Sequence, residues 1–225
     1  MINTLKDYIS DSMPQTGGFT TNANLLKKVD ASGKLLPFYG NTVVFLLDDE
    51  SKRALKAVQD KLYAVAPEML AEPLPEESFH LTAHDLVNDA KNTPELRTKM
   101  AEAAAKTLPF VRDVLPKKPI QMKATWAFNM VDTSVVVGWE PADEESYAAL
   151  DKLYTTLEKV VPLGYALCPH VTLAYFRPGV YEQEAVDRLR AALLPVDWTL
   201  TLKPENLVLQ NFESMSDYKT VDGWA

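Results

Sequence analysis

Hydrophobic and polar positions along this chain change period several times, and each change marks a predicted element. Residues Asn41 to Leu47, NTVVFLL, are apolar and β-branched and stop at Asp48-Asp49, which predicts a strand. From Ser51 to Ala66, Leu55, Val58, Leu62 and Val65 fall on one stripe, as on a helix. Pro73 and Pro75 mark a loop. Ser78 to Val87, SFHLTAHDLV, then alternates Phe79, Leu81 and Ala83 against His80, Thr82 and His84, which predicts a second strand. A helix follows, capped by Thr93 with Pro94 at its first position and running to about Leu108; Pro116 and Pro119 end that region. Gln121–Met130 and Thr133–Trp139 predict two strands separated by Val131-Asp132, with Trp126 and Phe128 sharing a core-type face. A helix over Glu144–Val160, a strand over Pro169–Phe176 and a helix over Tyr181–Leu194 follow, and Trp198–Leu209 holds the last one or two strands. Residues 1 to about 40 read as a short helix and then Gly-, Asn- and Ser-punctuated loops.

The pattern repeats once. Asn41-Thr42 and Asp132-Thr133 each open a strand, 91 residues apart. Asp60-Lys61-Leu62-Tyr63 and Asp151-Lys152-Leu153-Tyr154 lie in the helices that follow, again 91 apart, and His80-Leu81-Thr82 and His170-Val171-Thr172 lie on the next strands, 90 apart. Three anchors in one order at nearly one offset predict two related halves, with the two HxT strands in equivalent places about a pseudo-twofold axis.

Composition narrows the partners. The 225 residues are 47% hydrophobic and 24% charged, ordinary for a globular protein, and the length suits one domain or one domain of two lobes. The net charge is −8, which argues for a small phosphorylated ligand or an oligonucleotide end and against duplex nucleic acid. With one cysteine, Cys168, no internal disulfide is expected, and no Cys/His cluster has zinc-finger spacing. The segment MINTLKDYISDSMPQTGG has no apolar run that would serve as a signal peptide, and no stretch approaches a membrane span, so a cytoplasmic protein without a membrane partner is expected.

The doubled HxT carries the chemistry. On a strand His80 and Thr82 point the same way, as do His170 and Thr172. Two imidazoles facing each other across a groove, each beside a hydroxyl, suit phosphodiester cleavage. A neutral ring takes a proton from water or a ribose hydroxyl, and a protonated ring gives one to the leaving oxygen. The threonine hydroxyls donate to non-bridging phosphate oxygens as charge builds there. This scheme needs no metal and no other cofactor.

Here the chain resembles a known family. HLTA at His80 and HVTLAY at His170 are similar to the two signature motifs of the 2H phosphoesterase superfamily, which includes 2′-5′ RNA ligase-like proteins and cyclic phosphodiesterases. KLLPFYGNTVVFLL resembles a less characterised bacterial and fungal branch, and the resemblance covers roughly residues 34 to 210. It implies a bilobal α+β fold with a central groove lined by His80, Thr82, His170 and Thr172. The implied substrates are 2′,3′-cyclic phosphates or short oligonucleotides with unusual linkages. Several RNA-acting members have an Arg directly after the second motif; this chain has Tyr175, with Arg177 two residues on, so RNA is not carried over as substrate. The chain is expected to form a single domain over 1–225, with an extension over 1–40 and lobes over roughly 41–117 and 118–225, strand exchange between them being allowed.

Asn41 and Phe176 are the candidate substrate-binding residues, Asn41 for a phosphate or ribose and Phe176 for stacking on a base from the face of His170 and Thr172. Cys168 reads as a buried structural thiol. Two other functions compete: a nucleotide-binding module without turnover, and a metal hydrolase built on His80, His84, Asp85 and His170. In the latter, His84 shares a face with His80 but lies about 13 Å away along the strand, too far for one metal.

Overall fold

The computed structural model describes residues 18–192 and 198–221. The helix expected early in the chain falls within residues 1–17, outside the described residues, as do 193–197, 222–225 and the side chain of Trp126.

The elements follow the predicted order, with ten strands and four α-helices among the described residues. A short strand β1 (Phe19–Thr20) precedes the first half, which comprises β2 (Tyr39–Leu46), α1 (Asp49–Val65), β3 (His80–Asp89) and α2 (Pro94–Val114). After β4 (Ile120–Met130), the second half runs β5 (Ser134–Pro141), α3 (Glu144–Leu157), β6 (His170–Tyr175), β7 (Val180–Tyr181) and α4 (Gln183–Ala192). Three strands close the described chain: β8 (Thr199–Leu202), β9 (Leu207–Ser214) and β10 (Asp217–Thr220), where one or two were expected.

Local chemistry explains the boundaries. Asp48 caps α1 by accepting from the Ser51 N–H at 2.8 Å, and Asp143 caps α3 by accepting from the Ser146 N–H at 2.7 Å, the same device in both halves. Thr93 caps α2, which runs six residues past the expected Leu108 and continues across Pro109. Proline there removes one N–H donor from a long helix that its other bonds sustain. The hairpin between β4 and β5 turns through Val131 and Asp132, both left-handed at φ 46° and 57°. Two successive positive φ values match the twist of paired strands. The repeated tyrosines act alike in the two halves. Tyr63 donates its hydroxyl to the Ala71 carbonyl at 2.7 Å, and Tyr154 donates to the Tyr165 carbonyl, each closing the loop after its helix.

Two antiparallel four-stranded sheets result, in the orders β10-β9-β2-β3 and β6-β5-β4-β8. The fold is a mixed α+β arrangement in which β3 and β6, the two HxT strands, are edge strands that meet between the sheets. Strands cross between the halves. β4, which follows the first half, pairs with β5, and β9, which follows the second, pairs with β2. Residues 207–220 therefore belong to the first sheet although they end the described chain. Helices cross as well: Gln59 of α1, fully buried, donates to the Leu74 carbonyl at 2.9 Å and to the Leu173 carbonyl of β6 at 2.8 Å. One hydrophobic core runs through both sheets, from Val43 and Phe45 to Trp139 and Leu153. Phe128 packs beside it with Val136 and Cys168. No helix among the described residues is long and apolar enough to cross a membrane.

Candidate functional site

His80 is the first residue of β3 and His170 the first of β6, so each imidazole stands where its strand enters the groove. The His80 Nδ1–H donates to the Ser78 carbonyl at 2.7 Å, and the His170 Nδ1–H donates to the Cys168 carbonyl at 2.7 Å. A carbonyl can only accept, so both rings carry hydrogen on Nδ1 when neutral, leaving Nε2 as the basic nitrogen. His80, Thr82, His170 and Thr172 line one cavity of about 140 Å³. That is room for about four or five waters, or for a phosphate group with the rest of a ligand in the open mouth.

The two strands then do the same unexpected thing. In β3 the pairing with β2 slips between Thr82 and His84, and in β6 the pairing with β5 slips between Thr172 and Ala174. Each slip is a β-bulge, an extra residue that reverses the alternation of faces beyond it. His84 and Ala174 consequently turn into the protein, and Asp85 and Tyr175, five residues after each histidine, turn into the cavity.

Similarity to known proteins bears on this arrangement. Residues 28–137 match the family described as 2H-phosphodiest, domain of unknown function (DUF1868). An uncharacterized protein, 127L, of Invertebrate iridescent virus 6 is 27% identical over 87% of this chain and 94% of its own length. A conserved protein of unknown function from Agrobacterium tumefaciens superposes with a TM-score of 0.64 at 18% identity, covering 98% of this chain and 99% of that one. LigT of E. coli, solved in complex with ATP, superposes with a TM-score of 0.51 at 12% identity, covering 82% and 96% of the two chains.

Over residues 28–137 the chain is thus similar to the 2H-phosphodiest family, and it shares its fold with the Agrobacterium protein and with LigT.

Within this fold, the cavity wall comes from distant parts of the chain. Tyr218 of β10 packs edge-on to His80, with ring centroids 4.7 Å apart. Phe212 and Met215 flank it. Lys28 enters from the segment before β2, its ammonium 5.0 Å from the Phe38 ring centroid and 5.5 Å from that of Tyr175. Its backbone is fixed by the Leu36 N–H, which donates to the Lys28 carbonyl at 2.8 Å. Arg177 lies elsewhere, on a surface cleft with Ser32, Gly33 and Lys34.

Burial pushes the His80 imidazole down to about 4; the Ser78 carbonyl and the Asp85 carboxylate oppose this, and His170 and Lys52 add to it. Burial also lowers His170, against the Cys168 carbonyl and Asp85, while Lys28 adds to the lowering. Both rings are thus neutral at pH 7. Burial holds the Tyr218 phenol well above its ordinary value, so it stays a donor. The Cys168 thiol, buried and pushed up to about 12 by desolvation and by Glu140, is no nucleophile at neutral pH.

Three sequence expectations are corrected. Asn41 does not line the cavity: its side chain, buried to 1% exposure, donates to the Met100 carbonyl of α2 at 2.9 Å and accepts from the Val87 N–H at 3.3 Å. Its neighbour Thr42 faces the cavity instead. Phe176 lies beyond the β6 bulge and so leaves the His170 face; it packs in the core against Phe19 and Tyr181 with centroids 5.0 and 6.4 Å away. His84 does not share a face with His80. It is buried, its Nε2 lies 3.0 Å from the carboxylate of Glu158, the C-cap of α3, and its ring packs 5.2 Å from Tyr154. A metal site joining His84 to His80 and His170 therefore has no geometric basis. Among the described residues, no three His, Cys, Asp or Glu side chains form a group that could hold a metal ion.

Proposed function

We propose that this chain is a phosphoesterase that hydrolyses a cyclic phosphate or a nucleotide phosphodiester with His80 and His170 as its acid–base pair. The observation that supports the reading best is the matched pair of imidazoles, each locked by Nδ1 to a backbone carbonyl and each presenting Nε2 in one cavity with a threonine hydroxyl beside it. One neutral Nε2 takes a proton from water as the water oxygen bonds to phosphorus. The other ring, protonated, gives its proton to the sugar oxygen as that P–O bond breaks. The rings exchange protonation states, and the product is a phosphomonoester. Thr82 and Thr172 donate to the non-bridging oxygens as charge accumulates. A bound phosphate anion also favours the protonated form of one ring, which offsets the burial that keeps both neutral beforehand. A nucleotide fits as ligand class: LigT, which shares the fold, has been solved with ATP, and the cavity lining here includes the rings of Phe38, Tyr175, Phe212 and Tyr218.

The test is a screen of the protein against 2′,3′-cyclic nucleotides, ADP-ribose 1″,2″-cyclic phosphate and 2′-5′ oligonucleotides, in EDTA and with added divalent metals. Turnover unaffected by chelation is expected. His80→Ala and His170→Ala should each lower the rate by about 10²–10⁴-fold. Thr82→Ala and Thr172→Ala should cost less, since one lost donor leaves others. Binding without turnover of any diester would point to a nucleotide-binding module, and full activity in either histidine variant would contradict the assignment.

A further inference from the structure

The two bulges break the symmetry of the pocket at one pair of positions. His80 matches His170 and Thr82 matches Thr172, but the residues turned inward five places after each histidine are Asp85 on one strand and Tyr175 on the other. On the Tyr175 side, Lys28 lies over the phenol ring and brings positive charge. On the Asp85 side, a carboxylate faces the same small cavity. Its field reaches both imidazoles, since it favours the protonated form of each. A carboxylate in an anion-binding pocket weakens every anion, so its presence needs a chemical reason.

Charge supplies one. A phosphodiester is a monoanion at all ordinary pH values, whereas a phosphomonoester gains a second charge above its second pKa of about 6. A fixed negative charge in a partly desolvated cavity therefore opposes the monoester about twice as strongly as the diester. We infer that Asp85 is a specificity-determining residue that admits monoanionic phosphodiesters and rejects dianionic phosphomonoesters, the reaction's own product among them. This inference rests on the phosphodiester reading of the pocket and names the charge class that it takes. Lys28 supplies the general attraction for phosphate, and Asp85 sets the limit on its charge. Hydrolysis itself then creates the charge that expels the product.

The test compares binding of a 2′,3′-cyclic nucleotide with that of the matching 3′-nucleotide by calorimetry, for the wild type and for Asp85→Asn, a substitution of nearly equal size. At pH 8 the variant should bind the 3′-nucleotide on the order of tenfold more tightly, while its affinity for the cyclic nucleotide rises by the square root of that factor, about threefold. At pH 5, where the monoester is largely a monoanion, the advantage of the variant should shrink to that seen with the cyclic compound; a purely structural effect of the substitution would not follow ligand charge in this way. Inhibition of turnover by product should strengthen in parallel. An unchanged ratio of the two affinities at pH 8, or an equal gain for both ligands, overturns the role of Asp85 and leaves the acid–base pair standing. A wild-type protein that binds neither compound overturns the phosphoester site and this inference together.

Discussion

What a histidine can do in this pocket depends on which of its nitrogens is free and on the charge it bears. Both rings spend Nδ1 on a backbone carbonyl, and burial lowers both pKa values, His80 to about 4. A catalyst needing one neutral and one protonated ring has its productive free form between those two lowered values. The plot of kcat/KM against pH should therefore be a bell lying on the acid side of the ordinary imidazole value of about 6.5. The kcat profile should sit at higher pH, because the bound anion favours the protonated ring; both follow from initial rates across pH 4–9, and a kcat/KM optimum above pH 7.5 would contradict the desolvation argument. His84 is a different case. Its ring is sealed between Glu158 and Tyr154, so His84→Ala should keep near-normal kcat while lowering stability by about 1–3 kcal/mol in denaturant titrations. At this scale the sequence shows the two HxT pairs and little else of the pocket. Asp85 and Tyr175 are hidden because alternation, extrapolated past Thr82 and Thr172, assigns them to the wrong face. Asn41 and Phe176 are misread for related reasons: a polar amide can serve helix packing as well as a phosphate, and the bulge that admits Tyr175 withdraws Phe176.

Elements are more legible than faces. Strands and helices emerge where expected because apolar period, proline position and caps at Asp48, Thr93 and Asp143 agree with one another. The bulges have no comparable signature: an extra residue in a strand leaves composition unchanged and shows only in the pairing. One element carries visible strain. Val131, β-branched and 48% exposed, holds φ at 46° at the tip of the β4–β5 hairpin, a conformation that disfavours branched side chains. The flanking bonds, from the Asn129 amide to the Asp132 carboxylate at 2.7 Å and from the Asp132 N–H to the Asn129 side-chain oxygen at 3.0 Å, keep the turn closed despite it. Val131→Asn should relax the turn and raise stability by about 1 kcal/mol in thermal or denaturant unfolding, with no effect on activity.

At the scale of the whole molecule, each HxT strand is tied to a helix from the opposite half. β6 is held by Gln59 of α1, and β3 is held by the pairing of His84 with Glu158, the C-cap of α3. The sequence predicts two halves and allows strands to exchange between them, but not these side-chain ties, whose partners lie 114 and 74 residues apart. Gln59→Leu would leave two buried carbonyls without their donor, at a cost of about 1–3 kcal/mol. Because one of them belongs to Leu173, next to Thr172, kcat should fall even where the protein remains folded; unchanged kcat in a folded variant would show that the tie does not position β6. The crossing of β9 and β10 into the first sheet has a consequence for how the protein comes into being. Tyr218, against His80, is among the last described residues to leave the ribosome, yet β9 must pair with β2, made some 170 residues earlier. A nascent chain thus cannot close the pocket as it emerges, and until the hairpin docks, one long edge of β2 stays open to water, to chaperones and to other chains.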